Sequence, residues 1–136
     1  DIYAESIADG LALSLNYFGV VDIEYISQIT GESYQEVILA LKGAIYQNPD
    51  TWEECFYKGW ELASEYLSGK VLDKLEKAQK ANRTYQGYFA DNILALKKVL
   101  PKAASKGSIY IIRTPLRRLP LLALVSFILT IFIQIQ

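Results

Sequence analysis

The chain has 136 residues, of which 51% are hydrophobic and 21% charged, enough for one domain with a packed core. It contains no histidine and a single cysteine, Cys55. This composition excludes histidine-based acid–base catalysis, a Cys–His nucleophile pair, a Cys/His zinc site and an intrachain disulfide. A lone cysteine favours a reducing compartment, so we expect a cytoplasmic protein. The absence of methionine, even at position 1, is typical of a segment cut from a longer chain.

The formal net charge of −1 conceals two halves of opposite sign. Residues 1–66 carry twelve acidic and two basic side chains, a net charge of −10, whereas residues 67–136 carry three acidic and twelve basic ones, a net charge of +9. Two interpretations are open. The halves are either oppositely charged solvated faces of one fold, or the basic half contacts nucleic acid or an acidic neighbour.

Three helices are predicted at the start of the chain. The first covers residues 4–18, which show amphipathic spacing, and Gly19 follows it where a left-handed cap is common. Asp22 has the position of an N-cap for the second helix, which Gly31 ends. Ser33 forms a capping-box pattern with the glutamate three residues later and opens the third helix. The residues predicted to face inward are Ile7, Leu11, Leu15, Phe18, Ile23, Ile26, Ile29, Val37, Ile38 and Leu41.

A hairpin is predicted after the third helix. Residues 44–47 have the pattern of a short strand, and Asn48-Pro49-Asp50 is typical of a turn. The aromatic-rich stretch 52–60 alternates partly like a second strand, although a helical turn fits it equally. Three helices followed by a hairpin are the order of a winged helix, which we therefore expect for the acidic part, residues 1–66.

The predicted third helix is poorly suited to reading DNA. A winged helix that reads the major groove needs basic residues on this helix. Here it offers Gln35, Glu36 and a single base, Lys42. Because an acidic side chain repels phosphate, the pattern favours contact with protein over readout of a major groove.

Residues 67–106 predict two helices that form an antiparallel hairpin, because the link between them is short. Ser68 has the position of an N-cap for the first, which runs to about Ala81. Residues 82–84 form the link, and the second helix runs from about Tyr85 until Pro101 stops it. The basic residues of this hairpin form either a solvated face or a nonspecific phosphate-contact surface; they are Lys70, Lys74, Lys77, Lys80, Arg83, Lys97 and Lys98.

The other candidate functional residues are few. Tyr85, Tyr88 and Phe89 lie near Arg83 in the sequence, and such aromatic–basic clusters either stack on unpaired bases or pack in a core. Neighbouring acids do not converge on one face, so Glu53 and Glu54 are expected to be a solvated pair. Cys55 has no histidine to activate it and is expected to be a buried thiol. We therefore expect no cofactor, no metal site and no catalytic residue.

The end of the chain, residues 107–136, is arginine-rich and then apolar, with no charge from Leu119 to Gln136. This length reaches the lower limit for a transmembrane helix, so Leu119–Ile135 could anchor a small membrane protein. The segment could instead be a core or interface element that makes a homodimer. A shifted reading frame would also produce such an abrupt change of composition.

Three stretches occur in an order and spacing that resemble a known family. They are Ala44-Ile45-Tyr46-Gln47-Asn48-Pro49, then Glu65-Tyr66-Leu67-Ser68-Gly69-Lys70-Val71, then Asn92-Ile93 through Leu100-Pro101-Lys102. Residues 1–106 thus resemble a non-catalytic internal region of large SNF2-type helicase and adenine-specific DNA methylase-like proteins of conjugative elements and phages. No Gly-x-x-x-x-Gly-Lys loop and no Asn-Pro-Pro-Tyr motif occurs, so neither catalytic activity is implied. Beyond the Pro101 region the family continues in a more polar, mixed pattern, whereas this chain becomes arginine-rich and then apolar.

The expected fold is mainly α, with a winged-helix-like half, a basic helical hairpin and an apolar tail. The resemblance implies an accessory module rather than an enzyme, which positions DNA or contacts other domains of a parent protein. The competing hypothesis is the small membrane-anchored protein described above.

Overall fold

The computed structural model describes residues 2–100, which begin with three short helices. These are α1 (Ile7–Phe18), α2 (Ile23–Thr30) and α3 (Tyr34–Ala40). The side chains of Ser6, Asp22 and Ser33 each accept a hydrogen bond from the backbone N–H three residues later, which caps the helices as such residues commonly do. The caps predicted for α2 and α3 are confirmed, whereas α1 begins three residues later than predicted because its N-cap is Ser6.

The three helices enclose an aliphatic core. Ser14 is buried beside it, and its hydroxyl donates to the Val20 carbonyl and accepts from the Asp22 N–H, which ties the end of α1 to the start of α2. The prediction that Phe18 faces inward is wrong, because its ring lies at the surface, edge-on to Tyr25. The buried core residues are Val21, Ile23, Ile26, Val37, Leu41 and Ile45, against which Ile7, Leu11, Leu15, Tyr34, Ile38, Tyr57, Trp60 and Leu62 pack.

A two-stranded antiparallel sheet follows, as the winged-helix order predicts. Strand β1 (Ile45–Gln47) pairs with β2 (Trp60–Leu62), with Tyr46 opposite Glu61. The prediction of a strand over residues 52–60 is wrong, because only its last residue is in β2 and Glu53 and Glu54 adopt left-handed backbone angles. The loop folds tightly on itself. A Cβ at Gly59 would lie 2.6 Å from the Trp52 backbone, so this close approach requires glycine.

Three helices complete the described residues: α4 (Ala63–Tyr66), α5 (Val71–Thr84) and α6 (residues 90–100). The short α4 was not predicted. Ser68 does not cap α5, because its hydroxyl donates to the Glu65 carbonyl at the end of α4. The link between α5 and α6 is residues 85–89 rather than 82–84, since Gln86 and Gly87 are left-handed and end the helical geometry.

Residues 2–100 belong to one compact unit. The structure confirms the predicted mainly helical fold with a winged-helix N-terminal half. Within residues 2–100, no helix combines the length and the apolar character needed to cross a bilayer. The predictions made for Pro101, for the apolar tail 107–136 and for its anchor Leu119–Ile135 lie outside the described residues.

Candidate nucleic-acid interface

Lys74 is half-buried, and its ammonium group bonds to the backbone of the fold. Its Nζ donates to three backbone carbonyl oxygens, those of Glu65 at 3.1 Å, Tyr66 at 3.0 Å and Ser68 at 2.8 Å. An ammonium group has three N–H donors, so these bonds use all of them. The same group lies 5.6 Å from the centre of the Tyr66 ring. Lys74 therefore satisfies the carbonyl end of α4, which is a structural role.

Lys77 connects the two oppositely charged parts of the chain. Its Nζ lies 3.0 Å from a carboxylate oxygen of Asp50 in the loop and 3.5 Å from one of Asp73 on α5. The hydrogen bond with Asp50, helped by the charges of both acids, raises the pKa of the Lys77 ammonium. A phosphate would have to compete with two carboxylates for this group.

Three of the seven predicted basic residues meet at a cleft of about 240 Å³ between the loop after β1 and α5. Two carboxylates lie among the three ammonium groups, so the charge is nearly balanced. With Lys74 and Lys77 already paired, the side chain of Lys70 has no hydrogen-bond or ion-pair partner among residues 2–100. The cleft is lined by Asn48, Pro49, Asp50, Tyr66, Lys70, Asp73, Lys74 and Lys77.

The remaining predicted basic residues belong to α5 and α6. Lys80 and Arg83 lie three positions apart on α5, so they project from the same side of that helix. Lys97 and Lys98 are exposed on α6. Like Lys70, these four make no ion pair and no side-chain hydrogen bond with any described residue. The described part of the chain therefore carries five basic groups available to an external anion.

The elements with which a winged helix usually contacts DNA are acidic here. On α3 the exposed side chains include Gln35, Glu36 and Leu39, and no base lies on it. The hairpin and its loop, residues 45–62, carry four acids and a single base, Lys58, which pairs with Glu53 at 3.3 Å. The predicted unsuitability of α3 for phosphate contact therefore extends to the wing.

A buried polar network joins the wing to the C-terminal helices, and sequence reasoning missed it. The Asn92 side chain of α6 donates to the Gln47 carbonyl at 2.7 Å and to the Tyr66 hydroxyl at 3.1 Å. The Gln47 amide in turn donates to the carbonyls of Cys55 and Lys58. Burial raises the pKa of Tyr66. A polar residue at an inward position of β1 was the signal that could have indicated this network.

The aromatic residues near Arg83 separate into different environments. Phe89 is buried, Tyr85 half-buried and Tyr88 exposed. The Tyr85 hydroxyl donates to Glu54 at 2.6 Å, and this bond raises the pKa of Tyr85. The buried Phe89 fits the interpretation that the cluster packs in a core. The exposed Tyr88 fits the interpretation that it stacks on an unpaired base.

The loop acids and the cysteine differ in their exposure. Glu53 and Glu54 are exposed, as predicted, whereas Cys55 is half-buried rather than buried. Among the described side chains, no group of three or more His, Cys, Asp or Glu residues is placed to hold a metal ion.

Comparison with known proteins agrees with this geometry in the N-terminal half. Residues 3–61 match the family model described as "Probable helicase, winged helix domain". This match begins before α1 and extends into β2, so it covers the three helices and the hairpin loop. No curated protein and no solved structure matches the chain. The N-terminal part of the chain therefore has the winged-helix order of elements and is similar to the winged-helix domain of probable helicases.

Proposed function

We propose that the chain is a non-catalytic accessory module that positions DNA by nonspecific phosphate contacts made from its C-terminal helices. The observation that carries this proposal is a set of five basic side chains that make no ion pair and no side-chain hydrogen bond with any described residue: Lys70, Lys80, Arg83, Lys97 and Lys98. Phosphate contacts of this kind supply most of nonspecific DNA affinity. Because α3 and the wing are acidic, we expect the contact on α5 and α6 instead of on the usual DNA-binding elements.

The parent protein is proposed to be a large SNF2-type helicase or adenine-specific methylase-like protein of a mobile element. The support is the order of the motifs around Gln47, Tyr66 and Asn92 together with the helicase-associated family match. In such a protein the acidic surface of residues 2–66 would face another domain.

The experiment compares two double variants that change the net charge equally but at different places. Lys80→Gln/Arg83→Gln removes two unpaired bases from α5, and Lys42→Gln/Lys58→Gln removes two exposed bases from the acidic part. Binding of the full chain to a fluorescein-labelled duplex is measured by fluorescence anisotropy over a salt series. We expect the first variant to bind more weakly, with a salt slope smaller by about 0.9 for each phosphate that it no longer neutralises. The second variant should bind like the unmodified chain.

Equal losses of affinity for both variants would mean that net charge alone drives binding, and the assignment to α5 would be wrong. If the unmodified chain binds no DNA even at low salt, phosphate contact is excluded. Contact with another domain of the parent protein then becomes the favoured role.

A further inference from the structure

Four aromatic rings meet where the loop after β1 contacts the link between α5 and α6. Trp52 from the loop is buried, and three rings of the link surround it. The Trp52 ring stacks on Tyr88 with centroids 4.9 Å apart and an interplanar angle of 27°. Tyr85 and Phe89 contact Trp52 edge-on, with centroids 4.8 Å and 5.1 Å away. Such offset and edge-on contacts hold the cluster in a fixed arrangement.

Tyr88 differs from the other three rings because it is fixed in orientation and yet 46% exposed. One side of its ring stacks on Trp52, and its hydroxyl donates to the Gln47 side-chain oxygen at 2.7 Å. Gln47 is itself immobilised, since its amide nitrogen donates to two backbone carbonyls. A ring ordered in this way loses little conformational entropy when a flat ligand stacks on its exposed part.

The bases closest to Tyr88 along the chain lie at the end of α5. The link folds back on the end of α5, because Asn82 accepts hydrogen bonds from the Gly87 N–H at 2.9 Å and from the Phe89 N–H at 3.0 Å. The backbone on both sides of Tyr88 therefore lies beside the last turn of α5, where Arg83 is exposed, as is Lys80 one turn earlier, and neither pairs with a described residue. The nearby Glu54 carboxylate accepts a hydrogen bond from the Tyr85 hydroxyl, a neutral donor that does not cancel its charge, so we expect a phosphate to approach from the side of α5.

From this arrangement we infer that Tyr88 is a stacking platform for an unpaired base and that the module takes single-stranded DNA. The inference rests on the proposed phosphate contact and adds to it the stacking of a nucleobase on Tyr88. Base–aromatic stacking requires a base whose face is free, which a duplex does not offer. Arg83 and Lys80 would hold the phosphates on either side of the stacked base. The expected preference is for single-stranded over duplex DNA, with little dependence on sequence.

The test uses the full chain and three labelled ligands in anisotropy titrations at one low salt concentration. They are an oligothymidylate, an abasic strand with the same number of phosphates, and a duplex. We expect the unmodified chain to bind the oligothymidylate roughly tenfold or more tightly than the abasic strand. Tyr88→Ala should abolish this difference and leave duplex binding unchanged. Tyr88→Phe keeps the ring and should preserve the difference.

Tyr17→Ala is the matched control, because Tyr17 is also exposed but lies on α1 in the acidic part. It should leave all three affinities unchanged. The comparison of ligands on the unmodified chain does not depend on any variant folding. Equal binding of the oligothymidylate and the abasic strand would overturn the stacking inference while leaving phosphate contact intact. A loss of duplex binding in Tyr88→Ala would show a structural role and would also overturn it. Absence of all DNA binding would reject the proposed function as well.

Discussion

The winged-helix part, residues 2–66, and the C-terminal helices, residues 67–100, differ in how they use charge. The first carries eleven acidic and two basic side chains, a net charge of −9, and the second seven basic and three acidic ones, a net charge of +4. Two of the seven bases already have partners within the protein. Lys74 bonds to the carbonyl end of α4, and Lys77 pairs with Asp50 and Asp73. A basic stripe in a sequence therefore overstates the charge that the folded surface offers to a ligand.

The two parts also differ in how they are held together. Within the winged helix, local caps and an aliphatic core determine the packing. Between the two parts, the contacts are aromatic and polar: the rings around Trp52 and the hydrogen bonds of Asn92. The direct ion pairs across the boundary are Lys77 with Asp50 and, at 3.9 Å, Lys42 with Asp91, and all four groups are exposed. Among the described residues, opposite charge thus contributes less to this junction than burial does.

The largest effect on the junction is expected from Phe89→Ala. Phe89 is 1% exposed and contacts Trp52, Tyr85 and Tyr88, so its truncation leaves a cavity where the two parts meet. We expect the free energy of unfolding, measured by urea denaturation, to fall by about 3–5 kcal/mol. Leu94→Ala on the exposed side of α6 is the control and should change it by less than about 0.5 kcal/mol. If the two variants are equally stable, the C-terminal helices are an appendage to the winged helix.

A smaller effect is expected from Asn92→Ala. The substitution leaves the Gln47 carbonyl without its donor in a buried place, which costs about 1–3 kcal/mol. Urea denaturation should show this loss of stability, whereas Asn16→Ala on the exposed face of α1 should not destabilise the chain. Unchanged stability in Asn92→Ala would show that apolar contacts alone join the two parts.

The smallest effect is expected from Lys77→Ala, which removes the ion pair with Asp50. Both side chains are about half exposed, with relative accessibilities of 51% and 52%, so solvent and salt screen their attraction. The denaturation midpoint should fall slightly at low salt and match that of Lys70→Ala at high salt. A destabilisation as large as that of Asn92→Ala at high salt would contradict the view that charge contributes little to the junction.

Prediction from the sequence succeeded where the signal was local and failed where it was not. Asp22 and Ser33 cap their helices through N–H groups three residues away, so short sequence patterns identified them. Ser68 had the same kind of pattern, but its hydroxyl bonds to the end of α4, a helix that was not predicted. The start of α6 was placed too early because Tyr85 and Phe89 have helical spacing, although both belong to the link around Trp52.

Local patterns and composition were enough to predict the order of three capped helices and a hairpin, the acidic character of α3 and the opposite charge of the C-terminal helices. These properties depend on neighbouring residues and on composition, which need no tertiary contact. Which of the described bases have no partner among residues 2–100, and which tyrosine keeps an exposed ring, depends on contacts made in the folded chain. The partners that decide it are distant in sequence, as Gln47 is from Tyr88 and Asn92, and only folding brings them within hydrogen-bonding distance.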